Sequence, residues 1–163
     1  MVSEKIIDRI IGQFEAEEVD YEKTTHEFAE RQPAILSFLM SDHEGALNND
    51  ERDFMIYLAI VIWRSVEHVN SECKIVRPKK ISSAEEANWA VIEKIKRRNF
   101  RDRLDVFFED TLQEDLLAFI EDSLTLDEID DGADGIQVTK EGIEPMFVML
   151  KTVVDVLTSQ EDW

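Results

Sequence analysis

Three prolines, five glycines and one cysteine, Cys73, are all that 163 residues contain of the residue types that break or cross-link a chain. A lone thiol cannot close an intrachain disulfide. That excludes the disulfide-stapled class of small secreted domains and fits a reducing compartment. So few breakers argue against many short strands joined by tight turns and leave long helices as the natural alternative. No apolar run is long enough to cross a bilayer. The longest, Phe54 to Trp63, covers about ten residues against the roughly 20 that a spanning helix needs. The opening residues, Met1-Val2-Ser3-Glu4-Lys5-Ile6, show no basic region leading into an apolar stretch, so no secretory leader is expected. The expected location is the cytoplasm.

Catalytic signatures are scarce too. There is no Gly-x-Ser-x-Gly, no phosphate-cradling Gly-x-x-x-x-Gly-Lys and no dinucleotide fingerprint. The three histidines are His26, His43 and His68. Glu22, His26 and Glu30 share one helical face at four-residue spacing and could offer metal ligands. A carboxylate-bridged dimetal bundle would need a Glu-x-x-His pair on each of two helices, and none occurs. Cys73 lies near Lys74 and Arg77, whose charges would favour its thiolate, but no histidine stands close in sequence. An enzyme is therefore not the expectation.

What the sequence does have is helical patterning. Its hydrophobic fraction of 44% supports an ordinary core. Ile6, Ile7, Ile10, Ile11 and Phe14 mark a first helix over about 3–18, with Ser3 as its N-cap. A second pattern begins near Asp20 and runs through Phe28, Ile35, Leu36 and Leu39. Pro33 must either kink it or start a new helix. Asn48-Asn49-Asp50 introduces a helix over about 51–72 that is apolar on all sides at Phe54 to Trp63, a pattern that belongs in the middle of a bundle. Ser82 and Ser83, each followed three residues later by Glu, predict a helix start after the basic connector 74–82. Helices then follow near 100–110, 114–124 and 139–159, the last capped by Thr139. The expectation is an all-α, single-domain bundle of six to seven helices spanning 1–163, with a possible sub-boundary in the connector.

Charge is the most unusual property. The net formal charge is −19, distributed as 16 acidic and 6 basic residues over 1–73, 4 and 10 over 74–103, and 17 and 2 over 104–163. Arg97, Arg98, Arg101 and Arg103 crowd the basic segment and are the candidate partner-binding residues, with Trp89 or Trp163 as aromatic anchors. Their bland reading is neutralisation of acidic helices within the chain. A chain at −19 repels nucleic acid at long range, so protein partners or self-association are expected instead.

The acidic loop 127–135 offers a calcium reading. With Asp130 at position 1 of a twelve-residue loop, Asp134, Gly135 and Glu141 fall at positions 5, 6 and 12. Gly132 at position 3 and Val138 at position 9 break the pattern. The candidate cation ligands are thus Asp130, Asp134 and Glu141. A third reading is an acidic mimic that occupies a basic macromolecular surface through Asp105, Glu109, Asp110, Glu114, Asp115, Glu121 and Asp122. The leading expectation is a non-catalytic protein–protein interaction module.

Overall fold

The structure is a computed structural model. It describes residues 1–163 apart from 42–44, 46, 72, 96–99, 110, 126–137 and 160–163, and only the backbone of 100–102 and 140. Among the described residues it is all-α, with eight helices: α1 (Glu4–Glu15), α2 (Tyr21–Arg31), α3 (Pro33–Met40), α4 (Asn49–Val69), α5 (Pro78–Lys94), α6 (Phe100–Glu109), α7 (Glu114–Thr125) and α8 (Lys140–Thr158). The count exceeds six to seven because Pro33 starts a new helix rather than kinking one. Gln32 between α2 and α3 has φ −133°, outside the helical range, while Pro33 occupies the first turn, where its missing N–H costs nothing. No helix among the described residues is long and apolar enough to cross a membrane.

Two helices form the centre. In α4 the run Leu58-Ala59-Ile60-Val61-Ile62-Trp63 is buried on every side, and Trp63 packs on Phe28 of α2 with ring centroids 5.2 Å apart. In α8, Met146 to Leu150, Thr152 to Val154, Val156 and Leu157 are buried as well. Sequence periodicity assigns α8 only a one-sided stripe, yet it packs against α4, α5 and α7 at once. Fully burying a side chain of Leu or Phe size contributes roughly 1.5–3 kcal/mol, so these two helices carry much of the stability. One contiguous apolar cluster takes residues from both sides of the 74–82 connector.

A buried carboxylate ties the central pair together. Glu51, 1% exposed, completes the capping box of α4: its N–H donates to Asn48 Oδ1 at 2.8 Å, and its Oε1 accepts the Asn48 N–H at 3.0 Å. Its Oε2 accepts the Thr139 N–H at 3.0 Å and the Thr139 hydroxyl at 2.9 Å. Thr139 in turn caps α8, accepting the Gly142 N–H at 3.1 Å. One negative charge therefore sits at two helix N-termini, where both macrodipoles favour it. Gly142 is glycine because a Cβ there would overlap Glu51 Oε2 and lie 2.9 Å from its Cδ.

Similar polar clasps place the outer helices. The N-terminus of α1 has no cap from its own Ser3. Instead the Val2 N–H donates to the buried Gln113 Oε1 (3.1 Å) and the Glu4 N–H to Asp115 Oδ2 (2.9 Å), fixing α1 against the start of α7. Asn88 of α5, 5% exposed, donates to Thr152 Oγ1 (3.1 Å) and Asp155 Oδ2 (3.0 Å), which sets the register of α5 on α8.

Gly142→Ala should destabilise the protein by about 2 kcal/mol. The ~1 kcal/mol gain in helix propensity is outweighed by displacement of a buried, charge-assisted hydrogen-bond acceptor. Urea denaturation of the variant checks this, and a rise in the midpoint would contradict it.

Candidate functional site

The helix α5 begins earlier than the serines suggest. Its first residue is Pro78, and Ser82 and Ser83 lie inside the second turn, so neither capping box forms. The reason is Pro78 itself: its fixed φ suits the first helical position, and it forces the preceding Arg77 into extended backbone (φ −89°, ψ 148°). The start of α5 is consequently made of cations. Arg77 occupies the N-cap position with no side-chain cap, Lys79 and Lys80 follow in the first turn, and no acidic residue accompanies them. Every other described helix except α3 has an acidic residue in its first turn where that turn is characterised. Cations at the positive end of a helix are disfavoured by roughly 0.3–1 kcal/mol each. Local chemistry here opposes the fold.

The connector leading into α5 is held from below. Gln32, 1% exposed at the α2–α3 junction, donates through Nε2 to the Lys74 carbonyl and accepts the Val76 N–H on Oε1, both at 2.9 Å. This two-point clamp presses Val76 into the core at 3% exposure. In an extended segment the neighbours of an inward residue face outward. Ile75 is accordingly 66% exposed, and Lys74, Arg77, Lys79 and Lys80 are exposed around it. Together with Ser83 and Ser159 they line an open concavity of about 830 Å³. Arg77, Lys79 and Lys80 make no ion pair among the described residues.

A second concavity of about 490 Å³ lies further along α5 and α8. Its floor is the network in which Lys151 Nζ pairs with Asp155, Asp155 accepts from Asn88, and the Lys151 ammonium stands 5.5 Å from the Phe107 ring. Because the polar groups satisfy one another, this cleft reads as the joint that aligns α5.

The sequence-derived candidates fare differently. Arg97 and Arg98 lie outside the described residues, and of Arg101 only its place in α6 is described. Arg103 is 20% exposed and spends its guanidinium on an ion pair with Glu144 of α8. Asp130 and Asp134 also lie outside the described residues, and Glu141 is exposed in the first turn of α8. His26, Glu22 and Glu30 are exposed, and no cluster of three potential metal ligands occurs among the described residues. His43 lies outside them, and Trp89 packs partly against the core.

No family model matches the chain, and no significant match is found among curated proteins or solved structures. The site must therefore be read from its own chemistry.

At the other end of α2 the charge is reversed. Residues 15–22 hold Glu15, Glu17, Glu18, Asp20 and Glu22 and no cation, and all five side chains are exposed. The turn is rigid. Glu17 takes a positive φ of 55°, and Asp20 Oδ1 caps α2 by accepting the Glu22 and Lys23 N–H groups at 3.0 and 3.3 Å. Behind it Phe14, Tyr21 and Tyr57 form a ring cluster with centroids 5.6 to 6.2 Å apart. Burial pushes both phenols above their ordinary pKa. A hydrogen bond to Thr25 partly offsets this at Tyr21, and the charges of Asp53 near Tyr21 and Glu15 near Tyr57 add to it.

Sequence composition flags 74–82 as basic but gives no sign that its cations share a concavity around an exposed isoleucine. The legible clue is Pro78, which fixes the helix start. The partner of Gln32, 42 to 44 residues away, leaves no trace in the local pattern. Gln32→Leu should cost about 1–3 kcal/mol, the penalty for leaving the buried Val76 N–H without an acceptor. Amide exchange at Val76 should accelerate well beyond that of α4. Unchanged protection at Val76 in hydrogen-exchange NMR would show that the clamp does not hold the connector.

Proposed function

We propose that this chain is a non-catalytic, cytoplasmic protein–protein interaction module, and that the concavity at the start of α5 is its docking surface for an acidic protein segment. The observation that carries this reading is the group Arg77, Lys79 and Lys80 at the positive end of a helix, beside the exposed Ile75, in a chain of net charge −19. Sequences that break a local rule at a cost to stability tend to do so at functional positions. An anionic side chain in the concavity would relieve the mutual repulsion of the cations and complement the α5 dipole together. Ile75 supplies the apolar contact that a purely electrostatic surface lacks. The lone Cys73 is consistent with a reducing, cytoplasmic setting.

The partner chemistry follows from the same groups. Lysines act as point charges without fixed directionality, so the surface suits clustered Asp and Glu on a helix or turn, with an aliphatic or aromatic residue to cover Ile75. Nucleic acid is disfavoured by the long-range field of the remaining carboxylates. The calcium reading through Asp130, Asp134 and Glu141 gains no further support from the exposed Glu141.

A fluorescent oligoglutamate peptide containing one leucine, followed by anisotropy, tests the proposal. Lys79→Glu with Lys80→Glu should weaken binding at least tenfold, about 1.4 kcal/mol. The matched control Lys5→Glu with Arg9→Glu, which makes the same change in net charge on the exposed face of α1, should lose far less. Binding should also fall as salt rises from roughly 50 to 500 mM, because the contacts are exposed and screened. Equal losses in both variants would reduce the effect to net charge and refute the docking surface.

A further inference from the structure

We infer that a second copy of this chain is an occupant of the α5 concavity, presenting the acidic turn at residues 15–22. This rests on the reading of the concavity as a surface for acidic segments. The two surfaces are complementary in charge. Residues 73–80 hold four cations and no acid, and residues 15–22 hold five carboxylates and no cation. They complement in apolar character as well, since Ile75 is 66% exposed and Tyr21 is 38% exposed.

The two surfaces do not neutralise one another within one chain, because α2 stands between them. Its C-terminal end is held to the connector by Gln32, and its N-terminal end carries the acidic turn. At 1.5 Å per residue the helix separates them by roughly 16 Å, about twice the Debye length near 0.15 M salt. Among the described residues, the two surfaces make no ion pair with each other. Both have hydrogen-bonded local geometry: the turn through the Asp20 cap, the connector through the Gln32 clamp. A preformed surface loses little conformational entropy on docking.

Contact between the basic surface of one copy and the acidic turn of the next is heterologous, so a pair of copies keeps one free basic and one free acidic surface, and assembly proceeds head to tail. At physiological ionic strength the repulsion between copies at −19 is screened beyond about 8 Å, while touching surfaces still attract.

The test is sedimentation velocity near 0.15 M salt on the wild type, on Lys79→Gln/Lys80→Gln and on Glu17→Gln/Glu18→Gln, each shown by circular dichroism to be folded. The wild type should rise in average mass with concentration beyond a dimer or close into a ring. Each variant alone should lose this behaviour. An equimolar mixture of the two should form a 1:1 complex and stop there, because only one complementary pair of surfaces remains. Wild type that stays monomeric to about 0.5 mM, or variants that assemble as the wild type does, would overturn the inference. If the wild type stays monomeric yet binds oligoglutamate through Lys79 and Lys80, self-docking fails while the docking surface stands; if neither occurs, both fail.

Discussion

The Glu51 carboxylate is the constraint around which the bundle is arranged. It is buried, it completes the first turn of α4, and it accepts two hydrogen bonds from the residue that caps α8. A charge in that position is tolerable only because two helix N-termini and three hydrogen bonds converge on it. The consequence is a fixed register between the two most buried helices. From α8 the Asn88 network then sets α5, and from α4 the contact with α3 brings Gln32 beneath the connector. The basic surface is thus the outer end of a chain of positioning contacts that begins in the core.

Apolar surface alone would not place these helices uniquely. Hydrophobic burial is non-directional, and α4 and α8 are apolar on nearly every side. The buried polar residues Glu51, Gln32, Asn88 and Gln113 each make a directional contact with a distant segment. Such groups are costly if unpaired and therefore select one arrangement over its neighbours. The same logic explains where the surface charge goes. Arg103 is drawn into a pair with Glu144, Arg31 into one with Glu67 at 3.0 Å, and the cations at the start of α5 are exposed with no acidic residue in that helix's first turn.

Much of this fold was legible because it is local. The apolar run of α4 and the Thr139 cap are each written in a few consecutive residues, and Pro33 marks a discontinuity without fixing whether it kinks a helix or starts one. Local pattern places the start of α5 too late because the Ser82 and Ser83 capping boxes compete with Pro78, and the fixed φ of proline wins. The second central helix was not legible, since an amphipathic stripe and a fully covered helix differ only in what surrounds them. The basic segment is visible in composition, whereas the place of Lys79 and Lys80 in the first turn of α5 is not. Their position at the positive end of the helix dipole follows only once Pro78 is known to start α5. Long-range partners such as Gln113 and Val2, 111 residues apart, leave no periodic signature.

The central claim is that Glu51 and Thr139 act as one unit joining α4 to α8. A double-mutant cycle of Glu51→Ala and Thr139→Ala, measured by urea denaturation, tests it most directly. The account predicts a coupling energy of about 1–3 kcal/mol, because either substitution alone already removes the hydrogen bond between the Thr139 hydroxyl and the Glu51 carboxylate. Additivity within about 0.5 kcal/mol would mean that the two residues stabilise their helices independently, and the clasp would not be what sets the register of the core.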